Sequence, residues 1–251
     1  MKKVEYYSML LFVLLLISWE LIAQPMSELV LPAPTVVFIE LWNGLSSGYF
    51  LPHILRTSTE IILGLAIGCT TGFILGVLMG EINFLHRLLF PYVIASQAVP
   101  KLALAPLFIL WFGFGMTSKV VITALICFFP LLENSVTAIQ YTDPNKKDLF
   151  HILGASRLQT LLHLKIPAGL PAILAGFRVS VVLAVVGAVV GEFIGGSEGL
   201  GALIIASQGM MDTPLMFSAL ILLTMMGMLL YLCVNLIERV LLKPYMKGRN
   251  P

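Results

Sequence analysis

Among the ionisable residues that fall inside long apolar runs, four offer chemistry or charge pairing: Lys101, Glu133, Arg178 and Glu192. A charge in such a run is costly and normally faces a partner or a cavity. Lys101 lies near the middle of the run 89–112, beside Pro100 and five residues before Pro106, where prolines loosen a helix and free backbone carbonyls. Two readings of it stay open: contact with an anion, or snorkelling or pairing with an acidic side chain. Arg178 is seven residues from one end of the run 171–194 and Glu133 seven from one end of the run 119–140. Both ends face the same side of the membrane in the topology below, so the two sit at a matched depth of about 10 Å. Equal depth and opposite charge predict a structural ion pair between them. Glu192, near the far end of 171–194, either helps to gate a pathway or faces headgroup water.

Other residue types carry less. His53, His86, His151 and His163 share no face or partner motif, and Cys69, Cys127 and Cys233 lie singly in apolar runs without ligand spacing. Neither set reads as a metal site or a disulfide framework. No G-x-x-x-x-G-K-[ST] loop is present to cradle phosphates, so nucleotide hydrolysis is not expected of this chain. The glycine-rich run Gly195-Gly196-Ser197-Glu198-Gly199-Leu200-Gly201 reads as a flexible turn at the mouth of a pathway, because it falls on the outer side.

The elements that must position these residues follow from composition. Of 251 residues, 59% are hydrophobic and 11% charged, against about a quarter charged in a soluble domain; the chain is an integral membrane protein. A span needs about 20 apolar residues, and five runs reach that length: 57–80, 89–112, 119–140, 171–194 and 214–237. A shorter sixth, 6–23, follows Lys2 and Lys3 and resembles a signal peptide, but Glu20 and the lack of an A-x-A site favour a retained helix. The expected fold is all-α, with six transmembrane helices. Its parts are a first helix and extracytoplasmic surface segment (1–56), a five-helix core (57–240) and a cytoplasmic tail (241–251).

Lys and Arg in short loops set orientation. With the N-terminus inside, Lys2, Lys3, Arg87, Lys146, Lys147, Arg157, Lys165, Arg239, Lys243, Lys247 and Arg249 are cytoplasmic, and only Arg56 and Lys119 lie outside. Both termini are therefore placed in the cytoplasm. The net charge of +2 is too balanced for nucleic-acid binding.

Glycines at 64, 68, 72, 76 and 80, and again at 187, 191 and 195, form side-chain-free stripes along which helix backbones approach closely. Packing within the chain is the preferred reading, and a seam between two copies the alternative. In the outer connection 24–53, a short amphipathic helix over Thr35–Leu45 is expected at the surface. In the cytoplasmic connection 141–170, Asp143-Pro144 predicts a helix start, Gly154 a stop, Ser156 a second cap and Pro167 a final breaker. The first of these short helices exposes Leu149, Phe150, Ile152 and Leu153 beside Lys146, Lys147 and Asp148. That apolar ridge is covered either by another protein or by lipid headgroups.

The spacing Asp148-Leu149-Phe150, three residues, Gly154, nine residues, Leu164-Lys165-Ile166-Pro167 resembles the cytoplasmic EAA loop of ABC importer permeases. That pattern reads Glu-Ala-Ala, three residues, Gly, nine residues, Ile-x-Leu-Pro; Asp148 replaces its Glu, and Leu149 and Phe150 its two alanines. Leu31-Pro32-Ala33-Pro34-Thr35, the run Val99–Leu107, Gly154-Ala155-Ser156, Gly191-Glu192-Phe193 and Gly199-Leu200-Gly201 resemble the branch that imports nitrate, sulfonates and taurine. The resemblance implies the type I importer fold in a bacterial inner membrane, with a second copy of the permease, a cytoplasmic ATPase dimer carrying ATP and Mg, and an extracytoplasmic solute-binding protein. It assigns Asp148, Phe150, Ile152, Leu153, Gly154, Ile166 and Pro167 to ATPase coupling, with no cofactor on this chain. The solute it suggests is a small anion; the alternative is a neutral heterocycle or vitamin precursor. Leu45-Ser46-Ser47-Gly48 superficially matches an ATPase signature but lies on the outer side without companion motifs. A secondary transporter would instead be expected to show inverted repeats with matched broken helices, and a membrane enzyme a cluster of catalytic polar groups at one membrane level.

Overall fold

The structure, a computed structural model, describes residues 2–246, without the side chains of residues 2–5, 102 and 244–246. Lys247 and Arg249, counted above as cytoplasmic, lie outside the described residues, as do the side chains of Lys2 and Lys3. Among the described residues the chain is helical and contains no strand: α1 (Lys2–Ala23), α2 (Pro34–Ser46), α3 (Leu51–Glu81), α4 (Asn83–Ala98), α5 (Ala105–Phe112), α6 (Met116–Gln140), α7 (Pro144–Ile152), α8 (Arg157–Thr160), α9 (Ile166–Gly195), α10 (Leu200–Gly209) and α11 (Thr213–Met246).

Helix α6 is the centre, packed between α3 and α9. The glycine stripes explain why. A Cβ on Gly72 would lie 2.5 Å from the Phe128 carbonyl oxygen, one on Gly76 2.6 Å from that of Leu132, and one on Gly191 3.1 Å from the Lys119 Cα. Only a residue without a side chain permits such an approach. The stripes on α3 and α9 are thus used within the chain, as the preferred reading had it. Ser180 Oγ adds a buried hydrogen bond to the Cys127 carbonyl at 2.8 Å, and Cys69 and Cys127 fill the same core.

The expected span 89–112 is not one helix but two shorter pieces, and neither is among the five helices of the described residues that are long and apolar enough to cross a membrane. Pro100 holds Val99 extended (ψ 125°), as a residue before proline requires, so α4 stops at Ala98. A 3-10 turn over Lys101–Leu104 follows, and α5 restarts with Pro106 in its first turn. Val93 of α4 packs beside Phe129, Leu132 and Val136 of α6, while Ala105 of α5 packs beside Ile122 and Ile126. The two pieces therefore line successive levels of one central helix.

Pro167 is not the breaker that the sequence suggests. The chain runs as one apolar helical segment from Arg157 to Gly195, because the backbone widens into a π turn over Leu161–Lys165, in which the Ile166 N–H donates to the Leu161 carbonyl. That extra residue per turn relieves the clash between a proline ring and the preceding turn, leaving Pro167 in the first turn of α9.

At the outer side, α2 packs along α11, with Ser218 Oγ donating to the Val37 carbonyl at 3.2 Å. Its N-terminus is capped from α1: Glu20 accepts from Thr35 N–H at 3.2 Å and from Thr35 Oγ1 at 2.9 Å, where a carboxylate also opposes the helix dipole. Phe50, Leu200, Leu203, Leu215 and Ala219 form a second core joining α10 to α11.

Candidate functional site

At the break at Pro100 lies a cavity of about 550 Å³, lined by the end of α4, the turn at Lys101 and facing sides of α6 and α9. Its polar groups are Gln97, Lys101, Glu133 and Asn134. Gln97 Nε2 donates to Glu133 Oε1 at 2.7 Å, the Lys101 Nζ stands 3.8 Å over the Phe129 ring, and Asn134 Nδ2 donates to the Pro130 carbonyl at 2.8 Å. Pro130, within α6, has no N–H, so the Ile126 carbonyl lacks its helical donor at the same cavity wall. Gln97 and Glu133 are exposed on this single chain. Hydrocarbon cannot satisfy them; they face a wet space or a second copy.

The expected ion pair between Glu133 and Arg178 is not formed. Glu133 is held by Gln97, and Arg178 pairs instead with Glu238 of α11. Matched depth fixes height and leaves azimuth free: adjacent helix positions differ by about 100°. Val179, Leu183 and Val186 of α9 face the cavity, which turns Arg178 toward α11.

Glu192 belongs to a buried outer cluster. Its Oε1 accepts from Thr57 Oγ1 at 2.6 Å and its Oε2 from Gly201 N–H at 2.6 Å, while Leu200 N–H donates to Thr57 Oγ1 at 2.8 Å. A carboxylate and a hydroxyl thus satisfy the first amides of α10, which have no partner within the helix. Glu192 is 1% exposed, so it faces no headgroup water. Gly199 takes φ +114°, and a Cβ there would collide with the Glu192 carboxylate. One helical turn along α3, Glu60 accepts from Arg56 Nε at 2.9 Å and pairs with Lys119 Nζ at 3.3 Å. Lys119, counted as an outer loop positive, is a buried partner of Glu60. Burying both charges is tolerable only because they are paired.

On the cytoplasmic side, Asp143 caps α7 by accepting from Asn145 N–H at 3.0 Å. Gly154 has φ +71°, and Ser156 and Gln159 form a reciprocal cap at 3.2 and 2.8 Å. Ile152 and Leu153 are 81% and 71% exposed and Asp148 is exposed, whereas Phe150, Ile166 and Pro167 are half-buried; Ile166 packs into the α3–α6–α9 core. Lys165 Nζ pairs with Glu81 Oε2 at 2.6 Å, tying the root of the loop to the end of α3.

Sequence reasoning passed over Glu60, Thr57, Gln97, Phe129 and Asn134. Glu60 had a signal: it is the lone acidic residue in the run 57–80, four residues after Arg56 on one helix face. Thr57 had none, because its partners lie 135 and 143 residues away. Among the described residues, no three His, Cys, Asp or Glu side chains converge on a metal-sized site.

Residues 68–245 match the family model described as binding-protein-dependent transport system inner membrane component. The chain is 41% identical to the riboflavin transport system permease protein RibX of Chloroflexus aurantiacus, over 92% of this chain and 87% of that protein. It is 35% identical to the formylaminopyrimidine transport permease protein ThiX of Halalkalibacterium halodurans, over 93% of each. With the putative aliphatic sulfonates transport permease protein SsuC of Bacillus subtilis it shares 32% identity, over 86% of this chain and 79% of that one. Its fold is similar to a chain of the MetNI methionine ABC transporter in an inward-facing conformation, with TM-score 0.67 and 17% identity, covering 76% of this chain and 95% of that chain.

Proposed function

Because the chain belongs to the family of binding-protein-dependent transport system inner membrane components, we propose that two copies form the solute pathway of an importer driven by a separate ATPase. The chain is an inner-membrane, multi-pass ABC importer permease of type I fold. In this reading ATP and Mg bind the partner ATPase dimer, and an extracytoplasmic solute-binding protein delivers the solute.

The observation that carries the coupling role is the uncovered ridge of Ile152 and Leu153, set on a helix whose ends are fixed by Asp143 and Gly154. Displacement of that ridge is transmitted by two routes: the continuous helix from Arg157 to Gly195, and the Lys165–Glu81 pair into α3. Of the two solute classes, the neutral heterocycle or vitamin precursor has the better support. The relatives at 41% and 35% identity are named for riboflavin and formylaminopyrimidine, whereas the one named for sulfonates stands at 32%.

Co-expression with the cognate ATPase tests the coupling assignment. Ile152→Asp and Leu153→Asp should reduce co-purification of the ATPase or separate its hydrolysis from solute uptake, with insertion retained. Normal assembly and uptake in both variants would assign the ridge to lipid headgroups.

A further inference from the structure

Within that permease reading, on which this inference rests, the geometry points to an intramembrane solute subsite. It comprises Gln97, Asn134 and the charge-cancelling groups Lys101 and Glu133, and it is built for a neutral ring with an adjacent donor and acceptor on one edge.

Charge comes first. Lys101 and Glu133 line one cavity, so an anion drawn to the ammonium meets a carboxylate, and a cation meets the reverse. The ammonium is further occupied by the face of Phe129, a favourable cation–π placement. Little net field remains to select a charged solute. The hydrogen-bonding capacity is more telling. Gln97 uses one amide N–H on Glu133 and Asn134 uses one on the Pro130 carbonyl. Among the described residues each amide retains a second N–H and an oxygen without a bonding partner, since a primary amide has two donors and one acceptor oxygen. Such an amide presents donor and acceptor side by side. The complementary edge is that of a lactam, an imide or an aminopyrimidine. Val179 and Leu183 of α9 supply apolar wall for the rest of a ring, in the usual pattern of an apolar pocket with a few placed polar groups.

The subsite also lies where coupling can act on it. Its polar groups sit on α4, the adjoining turn and α6, and its apolar wall on α9, the helix that continues from the cytoplasmic loop. Displacement of α9 against α6 changes the width of the cavity while leaving the polar wall in place.

The test uses the full assembly, permease with its cognate ATPase and solute-binding protein, in proteoliposomes. Uptake is scored for riboflavin and formylaminopyrimidine as neutral rings and for ethanesulfonate as an anion, with ATPase co-purification and melting temperature measured beside it. At least one neutral ring should be taken up, and ethanesulfonate should not. Gln97→Leu and Asn134→Leu should each lower that uptake by about threefold to tenfold, the range for one uncharged hydrogen bond, with assembly and melting temperature retained. Lys101→Met combined with Glu133→Gln should retain more uptake than either single change. If the Leu variants melt early, Gln97→Asn and Asn134→Gln decide, since they keep polarity and displace the amide by one methylene; unchanged uptake in them assigns both residues to packing. Ethanesulfonate uptake lost in Lys101→Met overturns the subsite, as does neutral-ring uptake indifferent to both amides. Uptake of none of the three by an assembly whose hydrolysis responds to its binding protein does the same. An assembly that never forms with the ATPase overturns the permease reading instead.

Discussion

Thr57 Oγ1 donates to Glu192 Oε1 at 2.6 Å across 135 residues of sequence, and the same oxygen accepts from Leu200 N–H at 2.8 Å. One hydroxyl thereby joins α3, the outer end of α9 and the start of α10. Thr57→Val keeps the shape but leaves a buried carboxylate oxygen and a buried amide without their partner, at a cost of about 1–3 kcal/mol for each group so stranded. A lower melting temperature in detergent is expected, with Thr57→Ser close to wild type. Equal melting of the Val and Ser variants would show that the hydroxyl carries no such load.

The buried pair of Glu60 with Lys119 gives a second expectation. Lys119→Met leaves Glu60 buried with Arg56 as its remaining partner and should destabilise by less than the ~3–5 kcal/mol that an uncompensated buried charge costs. The double change Lys119→Met with Glu60→Gln should recover much of that loss. Strict additivity in the melting data would dissolve the pair.

Arg178 is expected to couple to Glu238, with which it pairs, and not to Glu133. A double-mutant cycle on Arg178→Met and Glu238→Gln should give a coupling of a few tenths to about 1 kcal/mol, the range for partly exposed pairs. The cycle of Arg178→Met with Glu133→Gln should be additive. The reverse pattern would restore the pairing expected from depth.

Gly72→Ala places a Cβ 2.5 Å from the Phe128 carbonyl oxygen, which no rotamer change can avoid. The cost should be about 1–3 kcal/mol for overpacking, read as early melting of the permease chain by itself. A fold that tolerates the change while losing only its association with a second copy would move the stripe to a seam between copies.

Gly154→Asp should impair assembly with the ATPase, because at this left-handed turn (φ +71°) it sets a carboxylate beside the exposed Leu153. Co-purification of the ATPase should fall while membrane insertion holds. Unchanged assembly would remove Gly154 from the contact.

Much of the molecule is legible in the sequence for reasons of periodicity and solvent. Lipid demands about 20 apolar residues per crossing, so the spans at 57–80, 119–140, 171–194 and 214–237 show themselves as runs. The caps at Asp143 and Ser156 depend on neighbours two or three residues away and are equally local. The glycine stripes declare close helix contact, and the mid-span position of Lys101 marks the neighbourhood of the cavity.

Partners are another matter. A linear count gives the height of Glu133 and Arg178 but not the direction in which each helix face turns, and rotation alone sends one to Gln97 and the other to Glu238. Pro167 reads as a stop because a proline opposes an α-helix, yet one π turn before it lets the chain continue; sequence names the conflict, and packing selects the remedy. Lys101 has a definite sequence position and an ambiguous charge environment until α6 brings Phe129 and Glu133 to the same cavity. Local rules decide which segments become helices because their energies involve near neighbours along the chain. Which charges meet is decided by the relative rotation of those helices, an energy shared among residues more than 100 positions apart, as Thr57 and Glu192 are.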